Sequence, residues 1–156
     1  MFPSTRTLIA GAAVLAGIGA AYVMFGLPGG VTGTADPADA GQVALGKEVY
    51  GTACASCHGV ELEGQADWRK ALPGGGFPAP PHDETGHTWH HADEFLFLYT
   101  KLGAKEGLGV TAFKSNMQAF RDTLSDAEIW AVLAFIKSRW PPAIRQRQER
   151  IDQRNR

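Results

Sequence analysis

Cys54-Ala55-Ser56-Cys57-His58 constrains this chain more than any other stretch, because two cysteines separated by two residues and followed at once by a histidine form an attachment signature for c-type haem. The spacing has a chemical reason. One turn of helix brings both thiols to the two vinyl groups of a single haem and sets the His58 ring beneath the iron as the proximal ligand. Cys54 and Cys57 are the only cysteines present, so no other thiol competes for the role. A thioredoxin-like redox pair would require a βαβ pattern around it, and a zinc site would require a second ligand pair at matching spacing. The sequence offers neither, which leaves a structural disulfide as the plain alternative.

The chain has 156 residues and no internal repeat, enough for one modest domain with appendages. A domain of this size has a thin core. One covalently held haem adds a flat apolar disc to it, which is how so small a helical domain gains stability. The formal net charge of −1 hides an uneven distribution. Between Asp36 and Trp140 there are nine Lys/Arg and fourteen Asp/Glu, a balance of −5, whereas Pro141 to Arg156 holds five Arg against Glu149 and Asp152. So acidic a body argues against nucleic acid as a partner.

Residues 1–35 carry one charged side chain, Arg6, and Leu8 to Leu27 is an unbroken run of twenty apolar or small residues, long enough as a helix to cross a bilayer. Signal peptides have apolar regions of roughly 7–15 residues ending near a small-x-small site. Here the run is longer and the nearest such site, Gly33-Thr34-Ala35, lies well past its end. Residues 1–27 are therefore expected to be a retained anchor, with a cleaved signal peptide as the alternative, since Gly and Ala make up half the run. Arg6 keeps the amino terminus in the cytoplasm and sends the rest outward. That places the domain on the periplasmic face of the inner membrane as a single-pass protein, the side on which c-type haem is attached. Small residues four apart, such as Ala13 and Gly17, offer a surface for another transmembrane helix. Residues 28–40, PGGVTGTADPADA, are rich in turn formers and read as a flexible tether.

Helical periodicity resumes near Gln42 and runs to Ala53, with Val43, Leu45, Gly46, Val49 and Tyr50 on a partly apolar face. Ser125 followed by Glu128 reads as an N-cap with a capping box, ahead of Ile129, Val132, Leu133, Ile136 and Trp140 at helical spacing. Pro141-Pro142 ends that helix. A G-x-x-x-Y helix before CxxCH, one methionine in a downstream loop and an amphipathic last helix closing on an aromatic together resemble a class I cytochrome c domain, over residues 41–140. The resemblance implies an all-α class I cytochrome c fold, its helices wrapped around one covalent haem c. It also implies that the first and last helices cross, with Gly46 and Tyr50 meeting Val132 and Phe135. The loop Leu72 to Asp83 and the run Gly86-His87-Thr88-Trp89-His90-His91 are similar to those of small membrane-associated bacterial members. Pro80 or Pro81 matches the family proline whose carbonyl accepts the proximal histidine's Nδ1–H, a bond that fixes the tautomer and raises ligand basicity.

Met1 and Met24 lie in the leader, which leaves Met117 alone in the domain, where the family places its axial methionine. Core filling is the ordinary role of a lone methionine. In this position the resemblance implies iron ligation by His58 and Met117, a pairing that raises the reduction potential and fills both axial sites. The family usually carries Pro after that methionine; Gln118 stands there instead. His82, His87, His90 and His91 are expected as polar loop residues near the haem edge. Copper or zinc binding through His87, His90 and His91, and iron ligation by His87 or His90, are the alternatives. Trp68, Trp89 and Tyr99 could bond haem propionates or simply pack. The tail from Pro141 to Arg156 reads as a solvated, frayed helical extension, or as a dock for an acidic partner or anionic lipid.

The expected function is single-electron transfer between redox proteins outside the cytoplasmic membrane, with no catalysis of its own. Two rivals stay open: a fixed haem subunit of an oxidoreductase complex, and a gas- or peroxide-binding haem made available by a loosely held Met117. The acidic body favours donors and acceptors with basic docking patches.

Overall fold

The computed structural model describes residues 33–109 and 114–155, and over these it is helical, with no strand. The first helix, α1 (Ala40–Ala53), starts two residues before the apolar periodicity does. Asp39 explains the difference: its carboxylate accepts the Gly41 and Gln42 backbone N–H groups at 2.9 and 3.0 Å, satisfying donors that a helix start otherwise leaves orphaned. Four residues, Ala55–His58, then form the short helix α2, which Gly59 ends at a φ of +81°. A single 3-10 turn follows at Thr88–His90, then α3 (Asp93–Leu108), α4 (Asp126–Arg139) and α5 (Pro142–Arg154).

The core lies where α1 crosses α4. Gly46 makes the crossing close, since a Cβ placed on it would fall 1.9 Å from the Ala131 carbonyl oxygen and 2.9 Å from Phe135 Cβ. One turn later Tyr50 meets the Phe135 ring with centroids 5.4 Å apart, and Val132 belongs to the same buried cluster. The expected crossing residues are thus the observed ones. The Ser125–Glu128 capping box is complete in both directions and starts α4, every residue of which from Ile129 to Lys137 is buried. Helix α3 packs on α4 through Phe97, stacked on Trp130 at 4.5 Å. It breaks at Gly103, whose φ of +76° and ψ of 173° are outside the helical range.

Two expectations are corrected. The tail after Pro141 is not a frayed extension of α4. Trp140 and Pro141 are extended, with ψ of 144° and 148°, so the chain turns and begins α5 as a separate helix. Its inner face is held by Gln148 and Asp152, both buried, and by Ile144 packed on the core. The described part of the expected tether, residues 33–39, also lies on the domain. Ala35 is buried, Gln42 bonds both Thr34 and Asp36, and Gly33 sits so close to Trp130 that a Cβ would meet the indole at 2.2 Å. The anchor expected over Leu8–Leu27, with Met1 and Met24, lies outside the described residues. Among the described residues no helix is long and apolar enough to cross a membrane.

Candidate functional site

Cys54 ends α1 and its carbonyl accepts the Cys57 and His58 N–H groups at 3.1 and 3.0 Å, so the three residues of the motif share one turn of backbone. Both thiols are free. Cys54 is partly buried, and burial, with Cys57 beside it, pushes its thiol up to about 11, so it is uncharged at neutral pH. Cys57 is exposed.

His58 is buried at the end of α2, and its Nδ1 donates to the Pro80 carbonyl at 2.8 Å. A carbonyl can only accept, so the proton sits on Nδ1 and Nε2 keeps its lone pair. Burial holds the imidazole below its ordinary pKa despite the opposing effect of that bond, which keeps the ring neutral and able to bind a metal. The bond picks Pro80 from the two prolines the sequence offered. Two glycines make room for it. A Cβ on Gly64 would lie 2.4 Å from Pro81 N and 2.6 Å from Pro80 C, and one on Gly86 would lie 2.0 Å from Pro81 O. Gly64 also donates to the His58 carbonyl at 2.8 Å, so the loop closes directly behind the ring. Leu62, fully buried at a φ of +71°, holds a conformation costly for a bulky residue; its carbonyl accepts the N–H groups of His82 and Asp83 and so ties the two strands of this loop together. Gly64 and Leu62 carry no signal in the sequence for these roles, because the loop partners they meet, Pro80 to Asp83, are 16 to 21 positions away.

His82 stacks on His58 with ring centroids 4.0 Å apart and planes 24° from parallel. Its Nδ1 lies 2.8 Å from Thr88 Oγ1, and burial, with His58 and His87 nearby, holds it well below its ordinary pKa. The other histidines are taken up by aromatic neighbours: His87 by Trp68 at 5.5 Å, His90 by Trp89 at 3.7 Å and His91 by Phe95 at 4.2 Å. Among the described residues no three His, Cys, Asp or Glu side chains gather where they could hold a metal ion. Trp89 Nε1 donates to the Glu84 carbonyl at 3.3 Å and Tyr99 shares a 2.9 Å bond with Ser115, while Arg69 lies over Trp68.

Met117 is half-buried in the segment leading to α4. Its backbone N–H donates to Ser115 Oγ at 3.2 Å, and Ser115 is in turn held by Tyr99 on α3. On the other side Gly76 admits this segment: a Cβ there would lie 2.6 Å from Asn116 Nδ2 and 2.9 Å from the Lys114 carbonyl. The methionine loop is thus held between α3 and the loop of residues 72–77.

No curated protein and no solved structure matches the chain. The sequence model of the family described as Cytochrome c matches residues 43–140, well over half the chain, a span running from the first turn of α1 through α2, the Pro80 loop and the Met117 segment to the end of α4. The chain belongs to the cytochrome c family.

Proposed function

We propose that this protein is a mono-haem c-type cytochrome that passes single electrons between redox proteins on the periplasmic side of the membrane, held there by its N-terminal segment. Membership of the family implies covalent haem c and electron transfer in general. The residues fit the group: two free thiols within one turn, followed by a neutral imidazole whose Nδ1 is committed and whose Nε2 has no hydrogen-bond partner among the described residues. Cys54 and Cys57 would hold it through thioethers, and His58 and Met117 would bind the iron. When bound, the haem supplies a one-electron couple between ferric and ferrous iron. The chain's own contribution is to keep the two ligands still. His58 is fixed by Pro80, and the Met117 segment by Ser115, Tyr99 and Gly76, so little structural rearrangement accompanies a change of charge.

The observation that carries this reading is the 2.8 Å bond from His58 Nδ1 to Pro80. Nothing in a thiol redox pair or a disulfide calls for a histidine so held. The full chain, produced with a c-type maturation system, is expected to carry haem that survives denaturing electrophoresis in the membrane fraction, to lose it in Cys57→Ser, and to titrate as a one-electron couple. Haem released by denaturation, or retained unchanged in Cys57→Ser, would overturn the proposal.

A further inference from the structure

The bond to Pro80 leaves one freedom of the His58 ring unaccounted for. It fixes Nδ1 at a point, but a ring held at Cβ and at one nitrogen can still tilt about the line between them. The stacked His82 ring closes that freedom, lying face to face at 4.0 Å. His82 is itself held from four directions. Its N–H donates to Leu62 and its carbonyl accepts Trp140 Nε1 at 2.7 Å; its Nδ1 meets Thr88 Oγ1 at 2.8 Å; and Tyr50 stands edge-on to its ring at 6.4 Å. Thr88 and Trp140 are themselves buried.

We propose that His82 is a positioning residue which sets the plane of the His58 ring, and through it the orientation of the iron's frontier orbitals and the reduction potential of the centre. This rests on His58 being the iron ligand. The plane of an axial imidazole selects the iron d orbital that holds the unpaired electron in the ferric state, so a change of plane redistributes spin over the haem periphery. Clamping by a stacked ring therefore has a spectroscopic signature that a merely structural contact lacks.

The test uses the full haem-loaded chain. His82→Leu removes the flat face, whereas His82→Phe keeps a flat ring without the Thr88 bond. With covalent haem content equal to wild type, His82→Leu is expected to reorder the hyperfine-shifted haem methyl resonances of the ferric protein and to change the oxidised-to-reduced ratio at a fixed potential at least threefold. His82→Phe is expected to keep the wild-type order of the resonances. Wild-type resonances and potential in His82→Leu would overturn the proposal. Where His82→Leu fails to load haem, His82→Val, which likewise removes the flat face against His58, is read in the same way and with the same criterion. A wild-type ferric spectrum in His58→Ala would instead overturn the ligand assignment beneath the proposal, a different and separately visible failure.

Discussion

Single atoms decide several features of this protein, and glycine shows it best. A Cβ at position 46 would sit 1.9 Å from a backbone oxygen of α4, whereas one at position 51 of the same helix meets nothing within 4 Å. Gly46→Val is expected to lower the denaturation midpoint by the equivalent of about 1–3 kcal/mol of overpacking. Gly51→Ala is expected to raise it by about 0.5–1 kcal/mol, because alanine loses less backbone entropy in a helix. Urea unfolding of the two variants checks both signs at once. The histidines give a pH dependence. His82, His87 and His91 are held, chiefly by burial, below their ordinary value of 6.5. The unfolded chain therefore binds protons that the folded one refuses, and stability present above about pH 6.5 is lost as pH falls below it. The urea midpoint should be lower at pH 5.5 than at pH 8; an unchanged midpoint would contradict the burial of these rings. At this scale the sequence was legible wherever function and spacing coincide within a few residues. Cys54, Cys57, His58 and the Ser125–Glu128 box could be read directly, but the stacking of His82 could not, because the ring is brought to His58 by a loop closure 24 positions away.

The element that departs most from a sequence reading is α5. Its composition suggests a solvated helix, since after its opening proline only Ala143, Ile144 and Ile151 are apolar, beside four arginines. What fastens it is polar. Helix α3 has Ala92 as its N-cap residue and so no side-chain cap of its own, and Asp152 supplies one from 59 positions beyond Asp93, accepting the Asp93 N–H at 2.9 Å. Gln148 bonds the His91 carbonyl and the Asp93 carboxylate, while Lys137 on α4 pairs with the same carboxylate at 2.6 Å with both partners buried. Arg147 lies over Trp89 at 4.8 Å. Hydropathy periodicity cannot reveal such an arrangement, because every group in it reads as a surface residue until its partner is in place. Asp152→Ala is expected to cost about 1–2 kcal/mol, the loss of a cap that leaves a buried N–H unpaired. Hydrogen exchange at the Asp93 amide should accelerate while the centre of α4 stays protected. Lys137→Met is expected to cost more, about 3–5 kcal/mol, since it leaves the Asp93 carboxylate buried without its cation. A loss below 1 kcal/mol would show that the pair is solvated.

For the whole molecule the acidic body and the family's electron transfer meet in its encounters with partners. The balance of −5 over residues 36–140, reduced to −2 by the five Arg, Glu149 and Asp152 of residues 141–156 that follow it, still favours basic docking patches, so the bimolecular reduction rate with a physiological donor should fall as ionic strength rises. A rate independent of salt would contradict that account. The all-helical domain was legible from the sequence because CxxCH, the G-x-x-x-Y helix and the capped last helix each fix one wall of it, and residues 43–140 match the family. Met117 is the residue on which the carrier reading turns, since a methionine in the second axial position closes the iron to small ligands and favours the ferrous state. The most direct measurement is the absorption spectrum of the haem-loaded ferric protein beside that of Met117→Leu. The account predicts the weak red charge-transfer band of methionine sulfur on iron in the wild type and its disappearance in the variant. A wild-type spectrum without that band, or a band that survives in Met117→Leu, would contradict it.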